Sequence, residues 1–92
     1  MNKGELVDAI ATSAEWTKKD VSIVLEAMLE TITEAVVRGE KVTLVGFGSF
    51  DRRERQAREG RNPKTGEPMK IPATQVPAFS AGKGFKDRVV AA

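Results

Sequence analysis

A long polar stretch, Arg52 to Val76, constrains the fold of this chain more than any other feature. Folding of a chain of 92 residues buries only about 60 to 65 % of its unfolded surface, so a long segment without core residues must serve another purpose. Midway along it, Gly60 to Gly66 read Gly-Arg-Asn-Pro-Lys-Thr-Gly, which places a proline between turn-forming and cationic residues. Only two acids offset the six cations of its first half, which predicts a surface for a polyanion. These cations are Arg52, Arg53, Arg55, Arg58, Arg61 and Lys64.

The formal net charge of +2 conceals an uneven distribution of charge along the chain. Met1 to Asp51 carry five Lys or Arg and nine Asp or Glu, a net −4, whereas Arg52 to Ala92 carry ten and four, a net +6. A basic half is ordinarily just a solvated face. Here the excess of arginine favours nucleic acid, because guanidinium groups form forked bonds to phosphate and enter narrow minor grooves.

The absence of cysteine and histidine excludes several functional classes. Disulfides, Cys or His metal sites and His general bases are ruled out. The remaining carboxylates Glu26, Glu30 and Glu34 have the helical spacing of a solvated face, so we predict no catalytic residues, no metal site, no cofactor and no enzymatic activity. Gly46-Phe47-Gly48 is a lone GxG, which predicts a tight turn rather than a phosphate loop. No apolar run approaches the roughly 20 residues that span a bilayer, and the N-terminus lacks the apolar core of a signal peptide, so we expect a cytoplasmic protein without a membrane partner.

The first part of the chain has the pattern of a helical hairpin. Asn2 with Glu5, and Thr17 with Asp20, are start signals ahead of apolar residues at helical spacing, and Gly39 is a stop signal. A helix-turn-helix motif would place the second helix in the major groove of DNA. Between Asp20 and Glu34, however, that helix shows four acids and no base, which phosphates would repel, so we interpret the pair as a dimer scaffold. Lone Trp16, at the turn between the helices, is predicted to be a packing residue.

From Lys41 the apolar period changes to two, which predicts strands. The segment up to Val76 has the pattern of a long β-hairpin with its tip at Asn62 to Gly66, and each leg could reach about 35 Å. The returning strand should be an exposed edge, because its three prolines cannot donate to a ladder. Ser80 is predicted to cap a last helix. The prolines are Pro68, Pro72 and Pro77, and the apolar residues of the last helix are Phe85, Val89 and Val90.

Together these elements predict an α+β fold of one domain, residues 1–92. It consists of an N-terminal helical hairpin, a three-stranded antiparallel sheet extended into a long β-ribbon arm, and a short C-terminal helix. Residues 1–51 and 77–92 form the body, and residues 52–76 form the arm. The body has more apolar surface than one chain can cover, which favours an intertwined two-fold dimer over a marginal monomer. Its predicted core residues are Leu25, Met28, Leu29, Ile32, Leu44, Phe47, Phe50 and Phe79.

The arm is the predicted binding element. Its cations can neutralise phosphates, and Pro63 at the tip is a rigid apolar wedge able to enter between base pairs and kink a duplex, although a proline after asparagine is ordinarily just a turn residue. Met69 and Ile71 either flank this wedge or cover the backbone of the arm. Outside the arm, Lys3, Lys83 and Lys86 either hold flanking phosphates or serve solubility alone.

Several motifs follow one another in a fixed order along the chain: Gly46-Phe47-Gly48-Ser49-Phe50, Arg55, Arg58 to Gly66, Val76-Pro77-Ala78-Phe79 and Gly82-Lys83. In the order and spacing of these motifs, the chain resembles the HU family of bacterial histone-like, DNA-bending proteins over essentially its whole length. The resemblance implies an intertwined homodimer whose two arms enter the minor groove of double-stranded DNA, where Pro63 intercalates and bends the duplex. It further implies little sequence preference, a preference for distorted DNA, association with the bacterial nucleoid and no enzymatic activity. The implied DNA-binding residues are Arg53, Arg55, Arg58, Arg61, Asn62, Pro63, Lys64, Thr65, Lys70, Ile71, Lys83, Lys86 and Lys3.

Two alternatives remain open from the sequence. The first is a sequence-specific subunit similar to integration host factor, which would need a paralogous partner chain. Ala81-Gly82 argues against it, because those proteins usually carry Pro-Gly before the last helix. The second is a protein-interaction module whose basic arm meets an acidic protein. Ser80-Ala81 and Gly84 depart from common HU patterns, which puts the start of the last helix in question rather than the arm.

Overall fold

The computed structural model describes all residues, 1–92, and its elements follow the predicted α+β order. The chain divides into two compact units, residues 1–34, the helical unit, and residues 35–92, the sheet unit. No helix is long and apolar enough to cross a membrane. The elements are α1 (Lys3–Ala14), α2 (Lys18–Val37), β1 (Val42–Leu44), β2 (Gly48–Arg55), β3 (Arg58–Arg61), β4 (Pro68–Ile71), β5 (Thr74–Ala81) and α3 (Lys83–Ala91).

Both predicted helix starts of the helical unit are confirmed. The Asn2 side chain accepts a hydrogen bond from the Glu5 backbone N–H at 2.9 Å, and Thr17 Oγ1 accepts one from the Asp20 N–H at 3.1 Å. Each cap satisfies a backbone donor that the first turn of a helix leaves without a partner. The core of the unit is small, with Ile10 packed against a cluster of four buried residues. These are Val7, Ala11, Val21 and Leu25, and each pair is spaced by four so that both members lie on one helix face.

The end of α2 is stabilised by the backbone and by one arginine. The Gly39 N–H donates to Val36 O and the Glu40 N–H donates to Ala35 O, both at 2.9 Å, so the predicted stop at Gly39 is confirmed. Arg52 Nη1 donates to the last helical carbonyl, Val37 O, also at 2.9 Å. A cation is favourable here because the carbonyl end of a helix carries partial negative charge.

Three antiparallel strands in the order β1-β2-β5 form the main sheet, and β3 pairs with β4 in a second ladder. The predicted turn at Gly46 to Gly48 is confirmed: it joins β1 to β2, and the Phe47 N–H donates to Leu44 O. Gly48 allows the strands to pack closely, because a Cβ there would lie 2.5 Å from Ser80 O and 2.6 Å from the Phe79 ring. Phe47 contacts both Phe79 and Phe85, with ring centroids 5.5 and 5.1 Å away.

The predicted arm is present, but its hydrogen bonding is interrupted. The β2–β5 ladder ends at Arg55 opposite Thr74, and the β3–β4 ladder begins at Arg58 opposite Ile71. The interruption faces Pro72, which has no N–H to donate to a ladder. As predicted, the returning strands β4 and β5 are edges. The arm therefore consists of a root continuous with the main sheet and a distal ladder, β3–β4.

One prediction for an individual residue is wrong. Ser80 does not cap the last helix: α3 follows Gly82, which makes no side-chain cap, and Ser80 lies in β5 opposite Ser49. Strand pairing outweighs the local capping signal at this position. Trp16, predicted to be a packing residue, is 57 % exposed in the single chain and follows the left-handed C-cap Glu15, so its packing role stays a prediction.

Candidate nucleic-acid interface

The tip of the arm is a turn that satisfies its own hydrogen bonds. The Gly66 N–H donates to Asn62 O at 2.7 Å and the Asn62 N–H donates to Glu67 O at 2.8 Å. Asn62 Oδ1 accepts from the Lys64 N–H at 2.9 Å, and Thr65 Oγ1 accepts from the Glu67 N–H at 3.3 Å. Gly66 has a φ of +74°, a conformation that disfavours residues with a Cβ. These contacts hold Pro63 exposed near the apex, where it presents an apolar ring and no N–H.

The distal ladder has two chemically different faces. Residues directly opposite in an antiparallel ladder share a face, and successive residues alternate between faces. One face carries Ile71 opposite Arg58 and Met69 opposite Gly60. Gly60 leaves room for the Ile71 side chain, because a Cβ at residue 60 would lie 3.0 Å from Ile71 Cδ1. The other face carries the cross-strand pairs Glu59–Lys70 and Arg61–Pro68. The predicted contacts Ile71 and Lys70 are thus on opposite faces of the arm.

Most arm cations have no acidic partner within the chain. The ion pairs within 4.0 Å are Lys3–Glu26, Lys18–Asp8, Arg38–Glu40 and Arg53–Asp51. The cations beyond Arg53 appear in none of them, and all are exposed, so their charge is available to an external anion. We call these residues the free arm cations: Arg55, Arg58, Arg61, Lys64 and Lys70.

The two arginines at the arm root have different environments. Arg52 donates to Val37 O, so this arginine of the basic run forms a hydrogen bond within the sheet unit. Arg53 donates through Nη2 to Ser80 Oγ at 2.9 Å, and its Nε lies 3.5 Å from Asp51 Oδ1. Alternation along β2 places these neighbouring side chains on opposite faces of the sheet. Sequence patterns gave Ser80 only as a helix cap and did not indicate its contact with Arg53, because that contact depends on the register of β2 with β5.

The predicted cations outside the arm also differ. Lys83 and Lys86 lie exposed in the first turns of α3 and form no ion pair. Lys3, in the helical unit, donates to Glu26 Oε1 at 2.8 Å, and both side chains are more than half exposed. This hydrogen bond, reinforced by the charge of Lys3, lowers the pKa of Glu26 below its ordinary value.

Several residues of the predicted dimer core are exposed in the single chain. In the helical unit, Met28 is 46 % and Leu29 47 % exposed, whereas Leu25 belongs to the buried core of its own chain. In the sheet unit, Phe47 is 45 % and Phe79 44 % exposed. Neighbouring large apolar side chains with this exposure, in each unit, are typical of surfaces that meet a partner. Of the remaining predicted residues, Leu44 is exposed, and Ile32 and Phe50 are intermediate.

The sequence of the chain is similar to those of known bacterial DNA-binding proteins. Residues 1–90 match the model of a family described as bacterial DNA-binding protein. The chain is 71 % identical over 89 residues to DNA-binding protein HU of Nostoc sp. PCC 7120, covering 97 % of this chain and 95 % of that protein. It is 54 % identical over 89 residues to DNA-binding protein HU of Geobacillus stearothermophilus, covering 97 % and 99 %.

Two solved structures show the same fold. The fold matches HU of Anabaena in an HU–DNA cocrystal with a TM-score of 0.94 and 68 % identity, over 100 % of both chains. It matches HU of Thermotoga maritima with a TM-score of 0.70 and 42 % identity, over 97 % of this chain and 98 % of that one.

Proposed function

The chain belongs to the HU family of bacterial DNA-binding proteins, and from that premise we propose that it is an architectural protein that bends and compacts double-stranded DNA with little sequence preference. The observation that carries this function is the arm: an exposed ribbon whose free cations lack acidic partners and whose tip presents an exposed proline. The HU relatives, and the HU–DNA cocrystal among the structural matches, support the assignment.

Affinity comes mainly from neutralisation of phosphates by the free arm cations, with Arg53, Lys83, Lys86 and Lys3 as further contacts. Each phosphate that is neutralised releases condensed counterions from the duplex. The logarithm of the binding constant should therefore fall against the logarithm of salt concentration by about 0.9 per contact. Such contacts position the protein on DNA without reading its sequence.

Bending comes from the tip. HU and integration host factor are among the proteins from which the minor-groove wedge mechanism is known, so the role of Pro63 is carried over from the family. The chain supports it locally, since the turn holds Pro63 exposed while Asn62 and Thr65 satisfy the backbone on either side. Ile71 and Met69 supply an apolar face suited to the floor of the groove. Nicked or distorted duplexes should bind more tightly, because less energy is needed to kink them.

The working form is an intertwined homodimer with two arms. The half-exposed Met28, Leu29, Phe47 and Phe79 support this proposal, because an isologous interface would remove them from water. A paralogous chain could take the place of one copy. As a bacterial DNA-compacting protein it would be associated with the nucleoid, and DNA compaction requires no catalytic residue or cofactor.

The binding half of the proposal is tested with a purified chain and fluorescent duplexes, intact and nicked, across a salt series. We expect tighter binding to the nicked duplex and a steep loss of affinity with salt. Equal affinities that ignore salt would rule the proposal out. A requirement for one particular site and a second chain would favour the integration-host-factor-like alternative instead.

The wedge is tested by replacing Pro63 with alanine and measuring the end-to-end distance of a short labelled duplex by energy transfer. Pro63→Ala should reduce the bend more than the affinity, because the phosphate contacts remain. Pro68→Ala is the matched control, since Pro68 belongs to the same arm but lies in a ladder strand. An unchanged bend in Pro63→Ala would remove the wedge from the mechanism.

A further inference from the structure

One face of the main sheet carries a polar cluster at the root of the arm. Ser49, Asp51 and Arg53 alternate along β2 and point to the same face, and Ser80 on β5 lies directly opposite Ser49. The aromatic pair Phe50–Phe79 belongs to the other face. The polar face continues into the arm through Arg55, so it is contiguous with the proposed DNA-binding surface.

Two side chains hold the guanidinium of Arg53 on this face. Its Nη2 donates to Ser80 Oγ at 2.9 Å, and its Nε lies 3.5 Å from Asp51 Oδ1. Because Arg53 itself is opposite Val76, reaching Ser80 requires its side chain to lie back along the sheet, past the Asp51–Ala78 pair. Nη1 forms no hydrogen bond within the chain, which leaves this edge of the guanidinium to an external acceptor.

The carboxylate of Asp51 stabilises the position of Arg53. Its Oδ1 atom is covered by the protein and accepts no hydrogen bond, and its side chain is only 30 % exposed. A covered carboxylate oxygen without hydrogen bonds is unfavourable unless a cation lies close to it. Arg53 is that cation, so displacing it would leave the carboxylate uncompensated.

We propose that Asp51 and Ser80 are positioning residues, which hold the Arg53 guanidinium ready to receive a DNA phosphate on the sheet face. The inference rests on the proposed function, because it concerns how one of its phosphate contacts is made. An arginine already confined loses less side-chain freedom on binding than a mobile one, so each contact retains more of its favourable free energy. Arg53 thus differs from the free arm cations, whose side chains must be ordered by DNA itself.

The sharpest variant is Ser80→Ala, which removes the hydrogen bond to Arg53 without changing the charge. Ser80 is exposed, so the fold should survive. Ser49→Ala is the matched control, since it removes a hydroxyl from the directly opposite residue on the same face. We expect Ser80→Ala to weaken duplex binding by about threefold, the size of one net hydrogen bond, and Ser80→Thr to restore it. Ser49→Ala should weaken binding less.

A double-mutant cycle with Arg53→Gln separates positioning from a direct contact of Ser80 with DNA. In the Arg53→Gln background the effect of Ser80→Ala should disappear, because there is no guanidinium left to position. An undiminished effect in that background would overturn the proposal, and so would a Ser80→Ala variant that binds as tightly as the wild type. Wild-type binding in the same assay tests the proposed function separately: if the wild type binds and the cycle shows no coupling, only the positioning role fails.

Asp51→Asn needs a readout other than affinity, because removing a negative charge by itself strengthens DNA binding. A suitable readout is the order parameter of the Arg53 Nε–H bond vector, measured by nitrogen-15 relaxation in the protein without DNA. We expect this bond to be rigid in the wild type and in Ser49→Ala and more mobile in Asp51→Asn and Ser80→Ala. A mobile Arg53 in the wild type would overturn the positioning role.

Discussion

The helical unit and the arm use charged residues in opposite ways. In the helical unit, Lys3 and Lys18 lie within ion-pair distance of Glu26 and Asp8, around a small buried core. In the arm beyond its root, no side chain is buried and the free arm cations have no acidic partner. Ion pairs in the helical unit reduce the electrostatic potential around its cations. The free arm cations have no such pairs, so the positive potential around the arm is preserved. The difference shows that the placement of charge, rather than its amount, distinguishes the proposed binding element in a chain of net charge +2.

The largest effect should come from removing free arm cations. Replacing Arg55, Arg58 and Arg61 together with glutamine removes three phosphate contacts per chain, so the salt slope should fall by about 2.7 per chain and affinity at 0.15 M salt by roughly a hundredfold or more. Fluorescence anisotropy across a salt series measures both quantities. Replacing Lys18, Lys19 and Lys41 with glutamine changes the formal charge equally and serves as control. Equal losses in the two variants would show that only total charge matters.

The free energy of unfolding, unlike DNA affinity, should depend on residues of the main sheet more than on residues of the arm. Gly48→Ala would drive a methyl group into Ser80 O and the Phe79 ring, so we expect the free energy of unfolding to fall by about 3 kcal/mol. In Gly66→Ala the added Cβ meets nothing within 4 Å, and the strain is confined to the arm tip. Denaturant unfolding followed by circular dichroism compares the two variants. A larger loss in Gly66→Ala would mean that the arm contributes to the core.

The adjacent arginines Arg52 and Arg53 at the root of the arm should differ in the same way, with Arg52 affecting stability and Arg53 affecting DNA binding. Arg52→Ala removes the hydrogen bond to Val37 O and should lower the free energy of unfolding by about 1 kcal/mol, with little change in the salt slope. Arg53→Ala should lower the salt slope by about 0.9. Thermal melting and the salt series are measured on both variants. If Arg52→Ala has the larger effect on the slope, the division of roles along β2 is wrong.

The smallest effect concerns the Lys3–Glu26 pair. Its lowered pKa means that Glu26 contributes stability above its unfolded pKa, and that this contribution is lost as the pH falls through the lower, folded value. Lys3→Gln should therefore lower the melting temperature slightly at pH 7 and low salt, and the difference from wild type should vanish in strong acid. Lys19→Gln, at a lysine without an ion pair, is the control. A difference that persists in strong acid would assign the effect to something other than Glu26.

Local signals made much of this fold predictable. The caps at Asn2 and Thr17, the stop at Gly39 and the turn at Asn62 to Gly66 depend on residues within a few positions of one another, and the structure has each where it was predicted. The Ser80 cap was wrong because pairing with Ser49, a residue far away in sequence, keeps Ser80 in a strand. A local capping signal cannot show such competition.

The same limit applies to the candidate site. Charge marked the basic run and the turn motif marked Pro63, but neither gave a physical reason to separate Arg52 from Arg53. The separation of Arg52 from Arg53 follows from alternation along β2, whose register is set by the turn at Gly46 to Gly48. The contact of Arg53 with Ser80 needs β2 and β5 to be aligned, so it became visible only in the structure.

The most direct test of the central claim is a nuclear magnetic resonance titration of the nitrogen-15 labelled protein with a short duplex. If the arm is the binding element, the largest amide shifts should lie between Arg53 and Ile71. The exposed acidic positions of α2, from Asp20 to Glu34, should change little. Largest shifts along that acidic face, with a silent arm, would contradict the account.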